Sequence, residues 1–432
     1  MKRQLCRYIL PNIFAMMGIS CYILADTFFI SLAAGADGIT TLNLVLPIYG
    51  VLFAIGSMIG IGSATRYSIR KAQGSRDIDH YFSNAIIWGV LIGLVFTFLG
   101  GFYPEKMLQM MGADEEILAV GVPYARIFPL FSIFFICNYT FTSFVRNDGA
   151  PKVAMAATLL SSLFNIVFDY VFMFPMGMGL QGAALATGIS PILSILITMS
   201  HYFSSKNTIV FRVALPSFKR LLEVCSLGIV AFVGEMANSI TTLVFNFILL
   251  GLSGNLGVAA YGVVANIALV AISIFNGISQ GLQPLASEAN GKADRNMEKN
   301  ILKFSLSIGI VVSLVIVAFV WIFSDECVRL FNSENSAQMA IYAKTGIRLY
   351  FLGFLLAGSN IILSGFLSAT GQALQSAVIA MSRGVVAISI FAFVLSGLCG
   401  MTGVWLAFPA AEALTLLLAL GMMTARKKGE KG

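Results

Sequence analysis

Four acidic residues stand inside stretches that are otherwise apolar or neutral: Asp26, Asp169, Glu235 and Glu412. A charged side chain at the centre of a membrane-spanning helix costs about 2.5–3.5 kcal/mol on insertion scales, so each is a candidate for function. The chemistry open to such a carboxylate is to take up a proton, hold a metal cation or receive a cationic solute. Asn165 and Asp169 are spaced i, i+4, which puts amide and carboxylate on one helical face that should turn away from lipid. Thr187 lies one loop further on, and Tyr22 precedes Asp26 by one turn. Hydroxyl and amide oxygens can therefore gather around two carboxylates. An all-oxygen set suits a hard cation such as Na⁺, and a close carboxylate pair suits a shared proton. The competing reading is structural, with Asp169 hydrogen-bonding at a helix interface and Asp26 reaching towards the membrane boundary. It weighs more heavily for Glu235 and Glu412. Pro11 and Pro47 can kink their helices or simply mark packing and boundaries.

These residues need helices long enough to cross a bilayer, and the sequence supplies them. The 432 residues are 58% hydrophobic and 11% charged, with mean hydropathy +0.88, more apolar surface than a soluble core requires. Turn signals and charge clusters predict spans near 9–33, 40–65, 82–103, 122–144, 153–174 and 182–202. A polar segment follows, and then spans near 222–250, 258–286, 301–323, 344–368, 374–397 and 402–424. The expectation is an all-α membrane protein of about twelve helices. It divides into an N-terminal six-helix lobe (1–203), an inter-lobe linker (204–220), a C-terminal six-helix lobe (221–425) and a basic tail (426–432). The start, with Lys2, Arg3 and Arg7 ahead of an apolar run, has some character of a signal peptide. Its apolar stretch is too long and is interrupted by Asp26, so a first span is expected instead.

Charge orients the spans. Twenty-one of the 27 Lys and Arg residues fall in loops on the side of the N-terminus, whereas Asp114, Glu115 and Glu116 lie on the other side. By the positive-inside rule both termini are expected in the cytoplasm of a multi-pass protein of the cell membrane. The same rule accounts for the net charge of +7, so no nucleic-acid partner is expected. The six cysteines are scattered with no C-x-x-C, and His80 and His201 sit at loop edges, which argues against disulfides, zinc and paired-histidine chemistry. No G-x-x-x-x-G-K-[ST] loop occurs, so ATP hydrolysis by that route is excluded. A transporter driven by an ion gradient or by a partner is expected, with no cofactor beyond a coupling ion and no enzymatic activity.

The two halves echo each other at an offset of 217–222 residues. Gly74-Ser75-Arg76-Asp77 matches Gly291-Lys292-Ala293-Asp294, Arg126 falls opposite Arg348, Gly149 opposite Gly371, and Gly179-x-x-Gly182 opposite Gly400-x-x-Gly403. Six spans per half give both halves one orientation, a parallel repeat about an axis along the membrane normal.

Several segments in order carry a family resemblance. They are Asp26-Thr-Phe-Phe-Ile30, Gly62-Ser-Ala-Thr-Arg66 with Gly74-Ser-Arg-Asp77, Arg146-Asn-Asp-Gly-Ala-Pro-Lys152, Asn165-x-x-x-Asp169, Gly179-Leu-Gln-Gly-Ala-Ala-Leu-Ala-Thr187 and Gln280-Gly-Leu-Gln-Pro284. Together the sequence resembles the multidrug and toxic compound extrusion (MATE) transporters of prokaryotic type. The resemblance implies two six-helix lobes forming a V, and export of amphipathic, often cationic compounds in exchange for Na⁺ or H⁺. It implies a cation site at Asp26, Asn165, Asp169 and Thr187, with Tyr124 as a further member of the network and Pro11 as a bending point of the first helix. Some members place coupling acids in the C-terminal lobe instead. Glu235 matches one of them, but span 10 offers only Asn360, so the N-terminal site is favoured and Glu235 is expected to contact substrate. A related architecture flips lipid-linked saccharides and would need a cationic cavity, for which Arg383 is the clear mid-span cation. A monomer is expected.

Overall fold

The computed structural model describes residues 2–75, 77–110, 115–213, 215–331 and 337–429. Expectations placed on Arg76, Asp114 and Lys431, and on the side chains of Lys2, Pro47, Glu116 and Arg426–Lys428, lie outside what is described. The described elements are helices: α1 (Lys2–Ala72), α2 (Asp79–Phe102), α3 (Pro104–Met110), α4 (Glu115–Ile127), α5 (Ser132–Asn147), α6 (Pro151–Met173), α7 (Gly179–Met199), α8 (Phe218–Gly291), α9 (Arg295–Ile322), α10 (Ser324–Phe331), α11 (Ala337–Tyr350), α12 (Phe354–Ala369), α13 (Ala373–Met381) and α14 (Ala387–Gly429). A π-turn at Ser382–Val386 joins α13 to α14. A 3₁₀ turn at Phe128–Phe131, where Pro129 withholds its N–H, joins α4 to α5.

The helices are built inside out relative to a soluble protein. On α9 the buried stripe is Ile301, Ser305, Gly309, Ser313, Val317 and Val320, mostly small residues that let helices approach. The opposite stripe of Val311, Leu314, Val315, Phe319 and Ile322 is exposed, as lipid-facing residues are. Among the described residues ten helical stretches are long and apolar enough to cross a membrane. The last, Ala373–Met422, is broken at Gly400, whose φ of 56° and ψ of −135° end one span and start the next. Gly254 (φ 60°, ψ −151°) does the same between Phe218–Gly254 and Leu256–Gly291 of α8.

α1 also holds two spans. Ile9 and Ile69 both meet the C-terminal end of α8, at Gly281 and Gly291, though a straight rod would part them by about 90 Å. The architecture is therefore two lobes of six crossings, joined where the α1 and α8 hairpins face each other. Ile9 and Ile13 oppose Gly281 and Gly277, while Met58 and Gly62 oppose Gly228 and Val224, so each contact is antiparallel.

The segment 204–217 is strapped to the N-terminal lobe. Ser83 Oγ accepts from Arg212 N (2.8 Å), Asn84 Oδ1 from Ser217 N (2.7 Å), and Asp148 Oδ2 from Thr208 N (2.8 Å).

Candidate functional site

The acids of the N-terminal lobe converge near the end opposite the chain termini. Gly18 meets Leu159 and Ser162 of α6, and Gly182 meets the backbone of Phe172, so α1, α6 and α7 close on one another there. Asn165 and Asp169 are fully buried, Thr187 is nearly so, and Asp26 is half-buried. The Asn165 amide is satisfied when its nitrogen donates to Asp169 Oδ2 (3.1 Å) and its oxygen accepts from Thr187 Oγ1 (3.0 Å) and Thr187 N (3.2 Å). Asp26 and Asp169 are neighbours in the lobe interior. Asp26 Oδ1 and Asp169 Oδ1 are buried with no hydrogen-bond partner among the described residues. Buried acceptors without a partner suit a proton or a small cation.

The two tyrosines differ in place. Tyr124 is buried beside Tyr49, with ring centroids 6.1 Å apart, near both acids. Tyr22 is half-buried, and the carboxylates that act on its hydroxyl are Asp26, Glu235 and Asp169. It therefore lies near all three acids. Pro11 is buried on α1 between Ile9 and Ile13, the residues that oppose Gly281 and Gly277. It lies at the inter-lobe contact, about 22 Å along the helix from Asp26.

Glu235 lines a cavity of ≈110 Å³ between the lobes, with Ser57 and Tyr139 on one side and Gln280, Gln283 and Arg383 on the other. Glu412 does not face a site of its own. It is fully buried and bound by Arg383, whose Nη2 and Nε donate to Oε1 at 2.6 and 3.1 Å, and by Asn360 Nδ2, which donates to Oε2 at 2.7 Å. The C-terminal lobe thus carries a neutralised ion pair where the N-terminal lobe carries two neighbouring acids.

Two side-chain sets close the cavity at the end that bears the termini. Arg146 is buried, and its Nη1 donates to Asn12 Oδ1 (2.9 Å) and to Gln280 Oε1 (2.6 Å), joining α5, α1 and α8. Arg66 pairs with Glu223 across the lobes, and Tyr81 Oη donates to the same carboxylate at 3.4 Å. The place of Arg146 in a basic loop gives no hint in the sequence of this inter-lobe role. His201 differs from expectation: it is buried rather than peripheral, with Nε2 2.9 Å from Asp148 Oδ2. Asp148 also accepts from Lys71 Nζ (2.7 Å), Tyr67 Oη (3.3 Å) and the Thr208 hydroxyl. Burial opposes ionisation of Asp148, but Lys71, Thr208 and His201 outweigh it and hold its carboxyl below the usual carboxylate range.

This arrangement has counterparts in known proteins. The MatE family profile matches residues 11–171 and 231–394, three quarters of the chain and parts of both lobes. A multidrug export protein MepA of Staphylococcus saprophyticus is 28% identical over 404 residues, covering 92% of this chain and 88% of its own. MepA of Staphylococcus aureus strain MRSA252 is 26% identical over 425 residues, 97% of this chain and 92% of its own. Among solved structures, an outward-facing multidrug resistance MATE family transporter superposes with a TM-score of 0.91 at 22% identity, over 99% of this chain and 97% of that one. The fold is shared across its full length, and the chain belongs to the MatE family of membrane transporters.

Proposed function

We propose that this protein is an antiporter of the cell membrane, both termini cytoplasmic, that exports amphipathic and often cationic compounds in exchange for Na⁺ or H⁺. The observation that carries the reading is the pair of neighbouring acids, Asp26 and Asp169, each with a buried and unpartnered Oδ1. Asn165 and Thr187 orient Asp169 and complete an oxygen-lined pocket for the coupling ion. The multidrug export activity in the names of the staphylococcal relatives supports the substrate class. Glu235 offers a carboxylate to the cationic end of a solute, and Tyr22 lies near both it and the ion pocket.

In this scheme the described conformation, closed by Arg146 and Arg66 at the basic end, exposes its cavity to the outside. Cation entry at Asp26 and Asp169 changes the balance between the two lobe arrangements and displaces substrate by alternating access. Pro11 sits where a bend of α1 would act on the inter-lobe contact. The working unit is one chain, with lobes at 1–203 and 221–425, a linker at 204–220 and a basic tail at 426–432. Saccharide-lipid flipping finds less support, because Arg383 spends two of its three nitrogens on Glu412 and leaves little charge for a pyrophosphate.

The test is dye efflux in vesicles of known orientation with Na⁺ and pH gradients imposed separately. Wild type should respond to at least one gradient, and Asp26→Asn and Asp169→Asn should each abolish the response. Full gradient-driven efflux in both variants overturns the reading.

A further inference from the structure

The strap between the lobes lies on a face of α2 that the bilayer would otherwise cover. Asn84, Trp88, Leu91, Val95 and Phe98 follow one another at intervals of three or four residues and share one stripe of that helix. Leu91, Val95 and Phe98 are exposed, as lipid-facing residues of a membrane span are. The first two positions carry the strap instead: Asn84 Oδ1 accepts from Ser217 N at 2.7 Å, and the Trp88 ring meets Phe218 edge-on with centroids 6.0 Å apart. Asn84 is only about 7.5 Å along the helix from Asp79, where the span begins. The strap therefore runs at the boundary between headgroups and acyl chains, the level at which Trp is enriched.

Its side chains divide into two sets. Ile209 is buried and Phe211 meets Phe82 edge-on at 6.5 Å, which ties the strap inward. Phe203, Val213 and Leu215 are 92, 91 and 94% exposed and stand almost clear of the protein. Lys206, Lys219 and Arg220 flank them and have no acidic partner among the described residues, because Asp79, Glu223 and Asp148 are held by Arg212, Arg66 and Lys71. Bare apolar side chains at interface depth, with unpaired cations on either side, match the two parts of an anionic lipid.

We propose that the strap 204–220 is a binding site for anionic phospholipid of the adjoining leaflet, with Val213 and Leu215 entering the acyl layer and Lys206, Lys219 and Arg220 taking the phosphate. The bilayer then completes the hold that Ser83, Asn84 and Trp88 begin, and the segment moves with the N-terminal lobe. A soluble partner would reach these side chains only by lifting them from a surface that α2 fixes at lipid depth. The site is independent of the driving ion and of the exported compound.

The test places the photoreactive residue p-benzoylphenylalanine in the full chain at Val213 and, in a second sample, at Val311 on the lipid-facing stripe of α9. Each is reconstituted in vesicles of phosphatidylethanolamine with about a quarter phosphatidylglycerol, irradiated, and its adducts identified by mass spectrometry. Position 213 should give lipid adducts in a yield similar to position 311, with the phosphatidylglycerol share higher by about threefold or more. Lys206→Gln, Lys219→Gln and Arg220→Gln together should keep the lipid adducts and bring that share down to the level at 311. The label at Val311 in the same triple variant checks that it inserts and folds. Absence of lipid adducts at 213, whether the label is silent, joined to its own chain or joined to a second copy, overturns the proposal. So does an equal phosphatidylglycerol share at the two positions with the native charges in place, an arm that needs no charge variant to fold. A share at 213 that the folded triple variant leaves unchanged overturns it as well.

Discussion

Arg146 Nη1 sits 2.6 Å from Gln280 Oε1, a hydrogen bond from the end of α5 in one lobe to α8 in the other. The same nitrogen holds Asn12, so one buried guanidinium ties three helices at the closed end of the cavity. Gln280→Ala removes the inter-lobe acceptor and leaves the intra-lobe one. Spin labels on the ends of α2 and α9 near the termini should report a longer and broader distance distribution than in wild type. An unchanged distribution would show that the bond does not hold the lobes together.

Arg66 and Glu223 make the second tie, each side chain about a quarter exposed. A partly solvated pair contributes roughly 1 kcal/mol or less. Single reversals, Arg66→Glu or Glu223→Arg, should therefore slow efflux several-fold rather than abolish it. The double swap should recover most of the loss, as a double-mutant cycle on transport rates would reveal.

Thr187 gives both its hydroxyl and its N–H to Asn165, and Asn165 in turn donates to Asp169. Thr187→Val keeps the shape and drops the hydroxyl, leaving the amide freer to turn. Loss of about 1.4 kcal/mol of positioning corresponds to a tenfold weaker apparent affinity for the driving ion, with maximal rate little changed. Titration of efflux against Na⁺ or H⁺ concentration checks it.

These site residues were legible because a polar residue in an apolar run stands out and because i, i+4 spacing fixes a shared face. The α6–α7 hairpin then brings Thr187 to Asn165, twenty-two residues away. The partners of Asp148 were not legible. His201 and Thr208 lie 53 and 60 residues from it, in loops where polar residues are unremarkable and no period relates them. The pairing of Arg383 with Glu412 was hidden for a related reason, since each is visible on its own span while their common depth depends on the turn at Gly400. The lobe contacts needed the structure too, because a small residue in a membrane helix can face lipid, a neighbour or the other lobe.

Asp148 gives a pH dependence of known sign. Its carboxyl is held below the usual value, so its contribution to stability is complete above about pH 4 and is lost as pH falls through the lower folded-state value. Asp148→Asn should lower stability at neutral pH by on the order of 1.5–3 kcal/mol, the range for hydrogen bonds to a charged group. Thermal unfolding in detergent from pH 7 down to 3 should show the gap between variant and wild type narrowing only at the acid end. A gap that closes near pH 6 would place the stabilisation elsewhere.

The facing hairpins of α1 and α8 meet over glycines at both levels. Gly62 lies against the Val224 carbonyl, Gly228 against Met58, and Gly277 and Gly281 lie 2.6 Å, measured from an added Cβ, from the Cα atoms of Ile13 and Ile9. Helices packed by interlocking side-chain ridges must unmesh before they can turn. Here backbone rests on backbone, and there are few teeth to disengage. In the proposed alternating-access scheme the contact serves as a plain bearing: close enough to exclude water and lipid, smooth enough for the lobes to tilt without repacking a core, and intolerant of even a methyl group at Gly62 or Gly228.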